Sequence, residues 1–165
     1  MKRAMFAWLP LLICTSAWGA PAPQVTRHPI PGSYFPISAA VEIPAGKNVV
    51  YLSGMVPPIA DESAAKGSVG AYGDTETQTV AVLRRIQAQL ERLHLSMGDV
   101  VKMQAFLVGD PGNGGKLDFA GFMKGYVQFC GSKQQPNLPV RSAVQVAALA
   151  GPGMLVEIEV TAVRP

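Results

Sequence analysis

Two residues near the C-terminus are the best placed to do chemistry, Arg141 and Glu157. Arg141 lies in Leu138-Pro-Val-Arg-Ser-Ala-Val-Gln-Val-Ala-Ala-Leu149, where Val140, Ser142, Val144 and Val146 alternate with Arg141, Ala143, Gln145 and Ala147. Period-two alternation of this kind marks a strand. Gly151-Pro-Gly153 follows, and then a second apolar run from Met154 to Val163 that carries Glu157 and Glu159. The short connection predicts an antiparallel hairpin that brings Arg141 and Glu157 into one pocket. A guanidinium near the interior must meet an anion or several acceptors, and its planar fork suits two-point contact with a carboxylate. The same two residues would also serve as an internal ion pair that only holds the sheet.

Other chemistries find little footing. The two histidines, His28 and His94, have no His, Cys or acidic neighbour at ligand spacing, which argues against a metal site. There is no Gly-x-Ser-x-Gly elbow, no Gly-x-x-x-x-Gly-Lys-Ser/Thr and no Gly-x-Gly-x-x-Gly. Cys130 has no recognisable activating base and reads as a bystander thiol. The scattered methionines read as core filling. What remains is Arg141, Glu157, Tyr34 in Gly32-Ser-Tyr-Phe35, and Ser53-Gly54 after a strand. Such a set can bind a carboxylate and activate a water, enough to hydrolyse a substrate that is already electrophilic.

Those residues need a scaffold, and its limits are set by the N-terminus and composition. Met1-Lys-Arg3, an apolar run to Cys14 and Ala17-Trp-Gly19 form the pattern of a secretory signal, with cleavage expected after Gly19. The run is too short to span a membrane. A soluble product, periplasmic or secreted, is expected, with residues 20–165 as a single domain. Removing Lys2 and Arg3 from 14 Lys and Arg leaves 12 against 11 Asp and Glu, a net of +1. No basic cluster remains to bind nucleic acid or an anionic membrane. With Cys14 gone, Cys130 stands alone and no internal disulfide can form. The 15% charged content is low for a small soluble monomer and favours burial of surface in an oligomer.

Along the chain, the Pro-rich stretch 20–33 reads as an extended lead-in with a short edge strand at Val25–Arg27. Ala39–Pro44 and Asn48–Met55 read as a hairpin about Ala45-Gly-Lys47, and Val56–Gly73 as a loop. Thr75-Glu-Thr-Gln78 fits a capping box, followed by Leu83, Ile86, Leu90 and Leu93 at helical spacing. Val100–Val108 is a strand, and Leu117–Phe129 a second, more aromatic helix. The order predicts an α+β fold with a mixed sheet of about six strands and both helices on one face. The bare face then needs a partner.

Gly32-Ser-Tyr34, Val50-Tyr-Leu-Ser-Gly54-Met-Val-Pro57, Asp99-Val-Val-Lys102-Met-Gln-Ala-Phe-Leu107, Asp118-Phe-Ala120, Leu138-Pro-Val-Arg141-Ser142 and Val156-Glu-Ile-Glu159 resemble, in order, segments of the RidA (YjgF-like) reactive-intermediate deaminases. The resemblance covers roughly residues 30–163. It implies a chorismate-mutase-like α+β domain assembled as a homotrimer, with active sites between subunits and no cofactor. It also implies an enzyme of the 2-iminobutanoate/2-iminopropanoate deaminase type, which hydrolyses enamine-derived 2-imino acids to 2-keto acids and ammonia. By position, Arg141 matches the arginine that grips the substrate carboxylate, and Gly54 the glycine whose N–H assists it. Tyr34 matches a tyrosine of the cleft wall, and Glu157 the acid that orients the attacking water. Glu159 is expected on the opposite face of that strand.

Three features depart from the family pattern. Ala143 stands where the family has a cysteine two residues after the arginine. Pro111–Lys116 lengthens one loop and Phe129–Pro136 another. The signal segment would carry the chain away from the cytoplasm, where enamines arise. The alternative function is a non-catalytic binder of small carboxylates, or an interaction protein, on the same trimeric scaffold. A nuclease role, sometimes attached to this family, gains little from a chain without a basic patch.

Overall fold

The computed structural model describes residues 24–165; the expected signal segment lies outside the described residues. The elements are β1 (Thr26–Pro29), β2 (Ser38–Glu42), β3 (Val49–Met55), α1 (Thr75–Arg92), β4 (Val100–Val108), α2 (Phe119–Tyr126), β5 (Val140–Val146) and β6 (Val156–Val163). The class is α+β with a mixed sheet, as expected, but the six strands do not form one sheet. Four make a sheet in the order β3-β6-β4-β5, and β1 and β2 form a separate antiparallel ribbon.

Two expected hairpins are absent. β2 pairs with β1 and not with β3, while β3 pairs antiparallel with β6. β5 and β6 are not neighbours either. β4 lies between them, parallel to β5 and antiparallel to β6. The reason is the length of the connection. β5 stops at Val146, so the chain runs from Ala147 to Leu155 outside any strand and can cross β4, where a hairpin demands a tight turn.

Alternation along the central strands divides the sheet into two faces. On β4, Met103, Ala105 and Leu107 are buried while Lys102, Gln104 and Phe106 look the other way; on β6, Ile158, Val160 and Ala162 are buried opposite Glu157, Glu159 and Thr161. Both helices cover the first face. α1 packs Val82, Leu83, Ile86 and Leu90 into the core, and α2 adds Phe122 and Tyr126. The second face is bare, and Glu157 and Glu159 both belong to it. Residues two apart on a strand share a face, so the expectation that these carboxylates part to opposite sides is corrected.

α1 starts one residue earlier than the capping-box pattern suggests. Asp74 caps it, accepting from the Thr77 amide at 2.8 Å, and this frees Gln78 for another task. Fully buried, Gln78 donates to the carbonyls of Gly73 (2.8 Å) and Gly153 (3.1 Å) and accepts from the Leu155 amide (2.7 Å). It bolts α1 to the turn that feeds β6. Gln78→Leu keeps the bulk but orphans three backbone groups, and the expected loss is about 3 kcal/mol in denaturant unfolding. α2 is shorter than the aromatic run, opening at Asp118, which accepts from the Gly121 amide at 2.9 Å.

The β1–β2 ribbon is fastened beside the start of β5. The Arg27 guanidinium donates to the carbonyls of Leu138 (3.1 Å), Gly98 (3.0 Å) and Val100 (2.9 Å). Ser38 donates through its hydroxyl to Leu138 O (2.7 Å) and through its amide to Pro139 O (2.9 Å). These bonds hold the Leu138-Pro-Val segment from which Arg141 projects.

Candidate functional site

Arg141 pairs across to Met103, a buried residue of the helix-covered face, so its side chain runs under α2 at the edge of the sheet. There the guanidinium carbon is ringed by Tyr126 (4.2 Å to the ring centre), Phe122 (5.0 Å), Phe35 (5.4 Å) and Phe119 (5.9 Å). Flat cations favour ring faces, and four rings fix the plane of the fork. Burial lowers the Arg141 pKa from its ordinary value, with Tyr126 and Cys130 acting in the raising direction. Its Nη1 is buried and meets no hydrogen-bond acceptor among the described residues. The nearest phenol, Tyr126, gives its hydroxyl proton to Pro36 O at 2.8 Å, and its oxygen helps to hold the charge on Arg141.

The expected pairing with Glu157 does not occur within the chain. Glu157 registers with Phe106 on the bare face, and Arg141 sits on the other side of the sheet. Both one-chain readings are thereby corrected, the shared pocket and the internal ion pair alike. Among the described residues the charged-group contacts are Lys124–Glu76 (3.9 Å) and the His28–Glu42 hydrogen bond (2.7 Å), neither of them in the site.

Glu157 does meet Gly54. The register of β3 against β6 slips between Leu52 and Met55, leaving Ser53 and Gly54 in a bulge, and the Glu157 carboxylate lies where a Cβ on Gly54 would stand. Only the absence of a side chain at Gly54 lets the carboxylate settle there. Gly54→Ala must push it aside, and since the displaced atoms end a flexible side chain the fold should persist. On the role that the resemblance implies for Glu157, the expected result is a loss of about 10²-fold in turnover with little change in melting temperature, measured by steady-state kinetics beside a thermal melt.

Tyr34 is fully exposed and touches neither half of the site, although its neighbour Phe35 reaches Arg141. Ala143 follows Arg141 on the same face and packs against the core edge. Cys130 is buried, its thiol pushed up to about 11 by burial, so it stays protonated at neutral pH and is no nucleophile. His94 is exposed just beyond α1 with a positive φ of 56°, a turn position at the helix end.

The ring cage is the feature that reading for chemistry missed. Its signal was present as Phe119, Phe122 and Tyr126, at the three- and four-residue spacing that lines one side of a helix. The lengthened loop before α2 is tied back to the strand of Arg141. Gln145 accepts from the Leu117 amide (3.0 Å) and donates to Gly115 O (3.2 Å), which sets where Phe119 begins its helix.

Comparison with known proteins gives a consistent picture. The family model described as Endoribonuclease L-PSP matches residues 31–164. A RutC family protein of Haemophilus influenzae is 34% identical over 134 residues, 81% of this chain and 91% of that one. TdcF of Escherichia coli, provisionally named a reactive intermediate deaminase, is 32% identical over the same shares. The solved structure of Escherichia coli TdcF with bound serine superposes with a TM-score of 0.55 at 30% identity, covering 84% of this chain and 94% of that one. A YjgF family protein of Neisseria meningitidis gives a TM-score of 0.52 at 25% identity, over 86% and 96%.

Proposed function

This chain belongs to the RidA/YjgF family, and from that premise we propose that it hydrolyses reactive 2-imino acids to 2-keto acids and ammonia. The observation that carries the reading is Arg141, a guanidinium oriented by four rings whose buried Nη1 has no acceptor among the described residues. A substrate carboxylate satisfies it. Water then adds to the iminium carbon as the C=N electron pair moves to nitrogen, and Glu157 takes the proton that water loses. Glu157 returns that proton to the amine nitrogen, and the C–N bond breaks as a lone pair of the hydroxyl oxygen forms C=O; the hydroxyl proton passes to Glu157 and on to the departing ammonia, and the keto acid remains. The carbon is electrophilic from the start, so binding, orientation and a base suffice.

Because Arg141 and Glu157 lie on opposite faces, a complete site needs two copies. One supplies Arg141, with Tyr34 on the cleft wall, and its neighbour brings Gly54 and Glu157 from the bare face. A closed ring of three repeats this contact without leaving a free end. The Gly54 N–H then reaches the carboxylate held by the other copy.

The matching family model is described as an endoribonuclease, but the site speaks against that reading. Arg141 is walled by rings, and a phosphate backbone laid on the bare face would meet Glu157 and Glu159. Ala143 favours a second reading, a carboxylate binder that lacks turnover. One assay separates the two. With 2-imino acids made in situ by an amino-acid oxidase, keto-acid and ammonia release above the buffer rate, lost in Glu157→Gln, supports the deaminase; keto-acid binding with no acceleration establishes the binder. Export is part of the proposal, and N-terminal sequencing of the exported protein should begin at Ala20.

A further inference from the structure

We propose that the site is built for 2-imino acids with large apolar side chains, aromatic ones first. The inference rests on Arg141 as the carboxylate grip and concerns what lies beside it. Phe35 and Phe119 are stacked, with ring centres 6.4 Å apart and planes 15° from parallel, and each remains 40% exposed. Behind them Phe119 meets Phe122 at a tilt (6.2 Å, 36°) and Phe122 stacks on Tyr126 (5.9 Å), both of these inner rings buried. The inner rings hold the guanidinium, while the outer two form an apolar shelf next to it that stays wet. Exposed aromatic surface is a standing driving force for burial by an apolar group.

The geometry of a 2-imino acid turns that force into selectivity. Its side chain starts on the carbon next to the carboxylate, so a carboxylate held at Arg141 leaves the side chain close to the Phe35–Phe119 shelf. A methyl group covers little of it. A benzyl group covers more and adds the offset ring–ring contact that aromatic pairs favour. The surroundings leave room beside the shelf, since Ala143, the next residue of β5 on the Arg141 face, is small. Gln145 holds the loop that presents Phe119.

Calorimetric titration of the purified protein with pyruvate, 4-methyl-2-oxopentanoate and phenylpyruvate tests this, because these are the products from methyl, isobutyl and benzyl imines. Affinity should rise in that order, by about tenfold or more from first to last. Phe119→Ala should narrow the span, and Phe119→Leu should restore the isobutyl ligand more than the benzyl one. If pyruvate binds as tightly as phenylpyruvate while Arg141→Ala abolishes both, the shelf is wrong and the grip stands. If no keto acid binds, or Arg141→Ala leaves binding untouched, the grip fails and the inference goes with it.

Discussion

Arg141→Ala should lower kcat/KM by about 10- to 150-fold from the lost charge-assisted contact alone, and further from lost orientation. Arg141→Lys should do almost as badly, because a point charge cannot reproduce a fork whose plane four rings define. Stability should move the other way. Nη1 is a buried donor without a partner, and Arg141→Met replaces it with a flexible thioether among aromatic rings. We expect a gain of about 1 kcal/mol in denaturant unfolding with activity gone. A merely structural arginine predicts the reverse, a less stable protein that retains its activity.

The second large effect is a recovery. Arg141→Ala and Glu157→Gln should each be nearly inactive, the latter by about 10²–10⁴ in rate, since the amide keeps the shape but cannot take a proton. Co-expressed in equal amounts, they should regain about a quarter of wild-type activity, because in a ring of three a quarter of randomly formed contacts join an intact Arg141 to an intact Glu157. A site lying within one chain recovers nothing. The test is kinetic assay of the mixture, with light scattering to show that the variants share one assembly. A mixed trimer that stays inactive would place both residues in the same copy and end the two-copy mechanism.

These expectations differ from what the sequence alone suggests, and the difference has a physical source. Local signals were reliable where local chemistry decides. The helical spacing of Leu83, Ile86 and Leu90 and the alternation on β4 could both be read from residue types and short spacings. Pairing between strands could not. Alternation marks a strand but does not name its neighbour, so Val140–Val146 and Val156–Val163 looked like partners when β4 lies between them. That single change moves Arg141 and Glu157 from one pocket to two faces. The aromatic cage escaped notice for a related cause, because Phe35 joins Phe119, Phe122 and Tyr126 only after the ribbon and α2 have closed over β5.

The place of β6 between β3 and β4 also governs the order of events in time. It is the last strand in the chain, yet it holds the middle of the sheet and supplies Ile158 and Val160 to the core. A polypeptide delivered N-terminus first has β3 and β4 ready but nothing to join them until residues 156–163 emerge. Up to that moment neither strand has its central partner, and contacts across about a hundred residues must all form late. Closure of the four-stranded sheet therefore waits for delivery to be complete, and a chain cut short before Val156 keeps the β4–β5 pair and the β1–β2 ribbon but nothing to join β3 to β4.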